Sequence, residues 1–339
     1  MAQRVILRGF VVAYAIWVGA CYAKAAEDVV NGKEILNSYA QSLDWEKSVS
    51  MVSDIHASIS PSSSSPLDTT DEKDHTIFIR DRDSLAFTIS KAEFAAIRIP
   101  PINFERTNLV IANGKLLWDK PTPDNKIEQV FMQTERSDKS MLARYVGPLD
   151  GYLAGDGGKT VPEILVGATA VVVHPQQEII GLVRCVIVDA TTPQGQFTLW
   201  LSPEQNYALL KLRLIRGPTS IFNGLPMNAH DASLPDDEQI VKVTVILDGI
   251  HNNPCGKYYV AQNGTLLRTT NFKSGRVEIA TRSYDRTAIR LEPNLSKNRQ
   301  FALDVPNGTP VVDLDHQWNG VRYEWKDGNV VVAVNDADQ

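Results

Sequence analysis

Gly155-Asp156-Gly157-Gly158-Lys159-Thr160 ends as a nucleotide phosphate loop ends, with Gly-Lys-Thr. A backbone cradle for phosphates needs a further glycine five residues before Gly158, and Leu153 stands there. A flexible turn is expected instead. Asp313-Leu314-Asp315-His316 places three ligand-type side chains within four residues, but hard cations take more oxygen ligands than this supplies. It reads as a solvated turn. The histidines, His56, His75, His174, His230, His251 and His316, show neither His-x-His nor i, i+4 spacing, so zinc chemistry has no support. Ser202-Pro203-Glu204 and the other serines lack a Gly-x-Ser-x-Gly elbow. The residues point to no catalytic group, no metal and no cofactor, and a non-enzymatic protein is expected.

The N-terminus carries a different kind of information. Arg4 and Arg8 precede an apolar run from Gly9 to Ala20, and Ala23-Lys24-Ala25 supplies small residues where a signal peptidase reads them. Residues 1–25 are expected to be a signal peptide and the mature chain to be periplasmic or secreted. An apolar run of about a dozen residues is shorter than the ~20 a spanning helix needs, so no spanning segment is expected after cleavage. Trp17-Val18-Gly19-Ala20-Cys21 loosely resembles a lipobox, which leaves lipid anchoring at Cys21 as the alternative. Cleavage after Ala25 removes Arg4, Arg8 and Lys24, which takes Lys+Arg from 34 to 31 against 40 Asp+Glu and the net charge from −6 to about −9. Such a balance argues against nucleic acid as a partner, because phosphate backbones are held by Lys and Arg. Cys185 and Cys255 would then remain, too few for a disulfide scaffold or a thiolate zinc site. They either pair across a long loop, for about 4 kcal/mol in the chain-entropy account, or stay as thiols with Cys185 inside a strand.

The elements that would position any site are mostly strands. Asn31 with Glu34 reads as a capping box, and Ile35, Leu36, Tyr39 and Leu43 share one helical face, so an amphipathic helix is expected over about 32–46. From Ser48 the period changes to two. Ser48–Ile59 is a first strand, followed by a mobile Ser/Pro loop, Ser60 to Pro66, with an acidic tail of Asp68, Asp71, Glu72 and Asp74. Thr76–Arg80 and Leu85–Ser90 come next, with a short helical turn expected at Lys91–Ala96. Asn113-Gly114 joins two strands in a hairpin, since both central residues of a type I′ turn need positive φ. Ile127–Arg136 continues the sheet. Residues 137–168 lose alternation, hold a short helix near Pro162–Val166, and form a candidate lid or crossover. Eight further strands follow: Thr169–His174, Glu178–Asp189, Gln196–Leu201, Tyr207–Arg216, Gln239–Asp248, Tyr258–Ala261, Thr265–Phe272 and Arg276–Arg282. Turns are expected at Gln194-Gly195, Asn263-Gly264 and Asp327-Gly328. Half-buried strands with short turns predict an antiparallel meander. Phe301–Val334 reads as paired short strands that either extend the sheet or stand alone. The resulting division is a signal peptide over 1–25, a β-domain with its helix over 26–290, and a C-terminal hairpin element and tail over 291–339.

An opening helix of the form Gly-Lys-Glu-Ile-Leu-x-x-Tyr-Ala running into a long antiparallel meander resembles the periplasmic lipoprotein-carrier superfamily. Gly195-Gln196-Phe197-Thr198-Leu199-Trp200-Leu201-Ser202-Pro203-Glu204 leading into Tyr207-Ala208-Leu209-Leu210-Lys211-Leu212 is similar to that group's strand-turn-strand pattern. The likeness runs over much of residues 30–285. It implies a mainly β (α+β) fold, a curved, half-open, barrel-like antiparallel sheet with the N-terminal helix on its concave face, and an apolar hollow that shelters acyl chains. Hiding alkyl chains is worth about 0.8 kcal/mol per CH₂, so the inward stripe becomes the candidate ligand site. Its members are Phe78, Phe87, Ile89, Leu116, Trp118, Phe131, Trp200, Leu212 and Leu214. An aromatic or leucine on a strand is more often core packing, and that reading comes first for any single one of these residues. Three functions remain distinguishable: binding of a lipid or lipoprotein acyl chain in a partly unfilled hollow closed by the helix, binding of another envelope protein through an exposed apolar patch over a filled core, and hydrolysis in a polar cleft.

Overall fold

The structure, a computed structural model, describes residues 32–61, 70–81, 84–96, 107–112, 115–121, 126–134, 147–230, 235–291, 303–316 and 321–333. The expected signal peptide (residues 1–25), Cys21, Asn31, most of the expected Ser/Pro loop and the Asn113-Gly114 pair lie outside these residues. A helix over 32–42 opens the chain and a 3₁₀ turn, Asp44–Lys47, follows it, so the expected single helix to 46 changes form at Leu43. Ile35, Leu36 and Tyr39 are buried on one face as their spacing requires.

Strands then follow in chain order: β1 (Ser48–Pro61), β2 (Thr70–Asp81), β3 (Ser84–Ala96), β4 (Thr107–Ala112), β5 (Lys115–Pro121) and β6 (Ile127–Thr134). After a crossing segment come β7 (Ala170–Val173), β8 (Glu178–Ile180), β9 (Val183–Thr192), β10 (Gly195–Ser202) and β11 (Ala208–Arg216). A two-residue ladder joins β12 (Ile221–Phe222) to β13 (Leu225–Pro226). The chain returns in three long strands, β14 (Ile240–Cys255), β15 (Tyr258–Phe272) and β16 (Val277–Leu291). It ends in β17 (Pro310–Asp313), β18 (Tyr323–Lys326) and β19 (Asn329–Val332).

All but β12 and β13 belong to one curved sheet that does not close. Its spatial path runs from β7 and β8, both on β9, through β10, β11, β14, β15, β16, β1, β2, β3, β4, β5, β6, β17 and β18 to β19. The pairing is antiparallel except where β17 lies parallel to β6. The C-terminal strands thus extend the sheet, and Leu303, Val311 and Trp325 pack with Val110, Val130 and Met132. On the other half, the helix and residues 147–165 fill the face of β9, β10, β11 and β14 with a core that includes Tyr39, Leu149, Ile164, Phe197, Leu199 and Leu247.

Several expectations need correction. Lys91–Ala96 is strand, not helical turn, and Asp71, Glu72 and Asp74 lie in β2, not in a loop. Their register pairs Asp74 with Lys91 and Lys73 with Glu93, a backbone ladder to the next strand that local composition does not reveal. Glu178–Asp189 divides at Gly181, whose φ of +62° turns the chain between β8 and β9. Asn263-Gly264 is no turn. It sits inside β15, where β14 is irregular, and a Cβ on Gly264 would meet Leu149 Cδ2 at 2.7 Å. That glycine admits the crossing segment, a close approach that looks like turn chemistry in one dimension.

Residues 147–165 are a buried crossover and not a lid. Leu149, Tyr152, Leu153, Val161, Ile164 and Leu165 are all core residues. A capping box starts the short helix Val161–Leu165: the Thr160 hydroxyl accepts from Glu163 N–H at 3.4 Å, and Thr160 N–H donates to Glu163 Oε2 at 2.6 Å.

Candidate functional site

The strand register places four of the five candidate aromatic residues at successive paired positions. Phe78 on β2 pairs with Met51 on one side and with Phe87 on the other. Phe87 pairs with Leu109, Leu109 with Trp118, Trp118 with Phe131, and Phe131 with Val312. Four of the nine candidates therefore occupy one row across five strands, β2 to β6. Ile89 and Leu116 sit two positions from the row on β3 and β5. The Trp118 and Phe131 rings stack with centroids 5.3 Å apart and planes 20° apart, both half-buried. At the end of the row an open cleft of about 740 Å³ lies between β6, β17 and β18. Phe131, Val312, Leu314, Val321 and Tyr323 form its apolar wall, with Gln129, His316 and Arg322 among its polar groups. A mostly apolar hollow of this size with a few polar groups matches small-molecule sites in general.

The other three candidates are elsewhere. Leu212 and Leu214 are fully buried beneath the helix and crossover, in the core. Trp200 faces away from that core in a small cluster with Cys185 and Leu210. Its indole Nε1 donates to Glu178 Oε2 at 2.8 Å, and Lys211 Nζ, itself 3.0 Å from Asp248, lies 5.3 Å from the ring centre. β10 is buried on both faces, so alternation could not tell Trp200 from Leu199 and Leu201.

Sequence reasoning missed two buried ion pairs. Arg216 on β11 donates from Nη2 to Asp156 Oδ1 at 2.5 Å, from Nη1 to Ala154 O at 2.8 Å and from Nε to Gln194 O at 3.2 Å. Arg286 on β16 donates from Nη2 to Asp150 Oδ2 at 2.5 Å and from Nη1 to Ala261 O at 2.9 Å. Both acids come from the crossing segment and both arginines from the sheet. The phosphate-loop look-alike is a turn, as its glycines suggest, and Asp156 anchors it to the sheet. Gly155, at φ +87°, lies against Phe222, whose ring occupies the space a Cβ would take. Residue spacing gives no sign of partners 60 and 136 positions apart.

Burial pushes the Asp156 carboxyl up to about 6 against the opposing pull of Arg216, and it lowers Arg216 from the usual arginine range. A carboxyl raised on folding holds its proton more readily in the folded chain. Its stabilising contribution is full below the ordinary 3.8 and is lost as pH rises through about 6. Lowering the pH from 7 to 5 is thus expected to stabilise the native protein relative to Asp156→Asn, measured as the difference between their melting temperatures at each pH. A difference that stays constant would exclude this titration.

The remaining chemistry-bearing groups are local. Asp313 accepts from Asp315 N–H at 3.0 Å and lies 3.2 Å from His316 Nδ1, which closes the turn on itself. His174 Nε2 and Asp189 Oδ2 are 2.7 Å apart on the surface. Cys185 and Cys255 are both free thiols, and burial pushes Cys185 up to about 11, which keeps it protonated. Among the described residues no three His, Cys, Asp or Glu side chains converge on one point, and no helix is long and apolar enough to cross a membrane.

No protein-family model and no curated protein matches the sequence. Solved structures that it resembles include a DUF1329 family protein from Desulfovibrio piger ATCC 29098, at 10% identity and a TM-score of 0.42 over 78% of this chain and 95% of that one. The MucA/MucB complex of Pseudomonas aeruginosa is similar at 11% identity and a TM-score of 0.25, over 77% of this chain and 99% of that one. The ywiB protein from Bacillus subtilis follows at 6% identity and a TM-score of 0.18, over 70% and 94%.

Proposed function

We propose that this is an exported, non-enzymatic envelope protein that binds an apolar or amphipathic ligand, a lipid or the acyl chains of a lipoprotein, along the row from Phe78 to Phe131. The observation that carries the reading is the register. Residues far apart in sequence meet at successive paired positions, and the row ends at an open apolar cleft. Export is supported by the basic and apolar N-terminus. The ligand lies on the half of the sheet away from the opening helix, because the helix and crossover already fill the other half with the chain's own side chains.

Native mass spectrometry with lipid extraction, on protein taken from its own envelope without detergent, tests this directly. A reproducible acyl species is expected. Trp118→Ala with Phe131→Ala should lower its occupancy by about tenfold, since aromatic anchors carry most of the energy of such sites. A clean apo mass that persists after incubation with envelope lipids would reject the ligand reading. A second reading rests on the edge that β7 and β8 form among the described residues. Val172 on β7, Ile179 on β8 and Leu182 between β8 and β9 are 56%, 67% and 99% exposed, and an exposed apolar edge suits addition of a partner's strand. An apo mass together with capture of an envelope protein, lost when Ile179 and Leu182 become lysine, would favour that partner.

A further inference from the structure

The filled half of the sheet ends in a cationic corner that the aromatic row does not touch. Arg216 pairs with Val243 and Val243 with Thr270, while Leu214 pairs with Val245 and Val245 with Arg268. Leu214, Val243 and Val245 are core residues, so alternation puts Arg216, Arg268 and Thr270 on the same inner face. Arg216 there engages the buried carboxylate of Asp156. Arg268 lies close enough for its charge to push against Arg216. Among the described residues Arg268 has no ion-pair partner, and its Nε is buried without an acceptor. Thr270 is 2% exposed, and its hydroxyl is likewise unused. The one carboxylate opposite Thr270, Glu278, lies 3.7 Å from Arg276.

Buried donors without acceptors are costly, and the Arg268 Nε and the Thr270 hydroxyl are two such donors, on an arginine that is otherwise only half-buried and on a buried threonine. Both costs vanish if an anion enters the corner. We infer that Arg268 and Thr270, beside the Arg216–Asp156 pair, form a site for an oxyanion of the phosphate or carboxylate class. Arg268 Nε and the Thr270 hydroxyl donate to its oxygens. The donor fork and the hydroxyl suit a tetrahedral phosphate, whether free in solution or the headgroup of an anionic lipid.

The test uses the intact protein and two probes, inorganic phosphate and vesicles of phosphatidylglycerol against phosphatidylcholine, with melting temperature and calorimetric titration as readouts. Phosphate should raise the melting temperature in a saturable manner that weakens with added sodium chloride. Saturation by phosphate with no preference between vesicles would identify a free anion, and preference for phosphatidylglycerol would identify a headgroup. Arg268→Gln should weaken binding by about tenfold or more, while raising the melting temperature without anion because it removes the repulsion on Arg216. Thr270→Val should weaken binding less, Arg268→Lys should fall between, and Arg184→Gln, which replaces an exposed arginine on β9, should bind as the parent does. No response to either probe, or a response that survives Arg268→Gln, would overturn the site. Either result is independent of Trp118 and Phe131, so it leaves the acyl reading to its own experiment.

Discussion

Arg286→Met is expected to destabilise the protein by about 3–5 kcal/mol, and adding Asp150→Leu to the same chain is expected to recover most of that loss. The guanidinium is 1% exposed and the carboxylate fully buried, so no water replaces the lost partner. Removing the arginine alone leaves Asp150 charged in a low-dielectric interior. It also strips Ala261 O of the donor that Arg286 Nη1 supplies. Removing both charges exchanges a costly desolvated pair for apolar contact with neighbours such as Trp45, whose ring centre lies 6.0 Å from Arg286 Cζ. Urea unfolding of the parent, the single variant and the double variant measures the cycle. A single variant that unfolds within about 1 kcal/mol of the parent would show that desolvation of the buried charges does not govern this pair. The second pair, Arg216–Asp156, anchors the same segment at its other end, so the crossover is held to the sheet at two points.

Leu214→Ala should cost about 2–5 kcal/mol, the range for truncating a fully buried leucine, while the amount of ligand bound per folded molecule stays at the parental level. Leu214 has no exposed surface and packs in the core with residues such as Val245. It reads in sequence as part of the same inward stripe as Trp118, yet the two sit on different halves of the sheet. Trp118→Ala with Phe131→Ala should give the converse, a large drop in occupancy with a smaller loss of stability, since both rings are only half-buried. Chemical unfolding and native mass spectrometry on the same preparations separate the two effects. Loss of ligand in Leu214→Ala protein that remains folded would place the ligand under the helix instead.

The class of fold is legible in the chain before any contact is known. Alternation from Ser48 onward can be satisfied only by half-buried strands, and Ile35, Leu36 and Tyr39 at helical spacing need a sheet face to cover. The pairing of β4 with β5 on either side of Asn113-Gly114 follows from the positive φ that such a turn requires. What failed were readings taken from composition within a few residues. The acids of β2 and the Lys91–Ala96 stretch looked like loop and helix because their cross-strand partners are not local in sequence. Asn263-Gly264 looked like a turn because a glycine needed for close approach is indistinguishable from one needed for positive φ.

Which apolar stripe is core and which lines a cleft depends on the folded chain. Period-two alternation says that a residue faces inward and nothing about what fills the space opposite. For Leu212 and Leu214 the space is taken by the helix and the crossover, whereas beside Phe131 it is an open hollow. The same holds for charge. Asp150, Asp156, Arg216 and Arg286 look like ordinary surface residues in one dimension, because the energy of an ion pair depends on burial and distance, and neither is a property of neighbouring sequence. Arg268 acquires its unmatched charge only when β11, β14 and β15 come into register. Local patterning thus sets the elements, and long-range pairing sets the chemistry they carry.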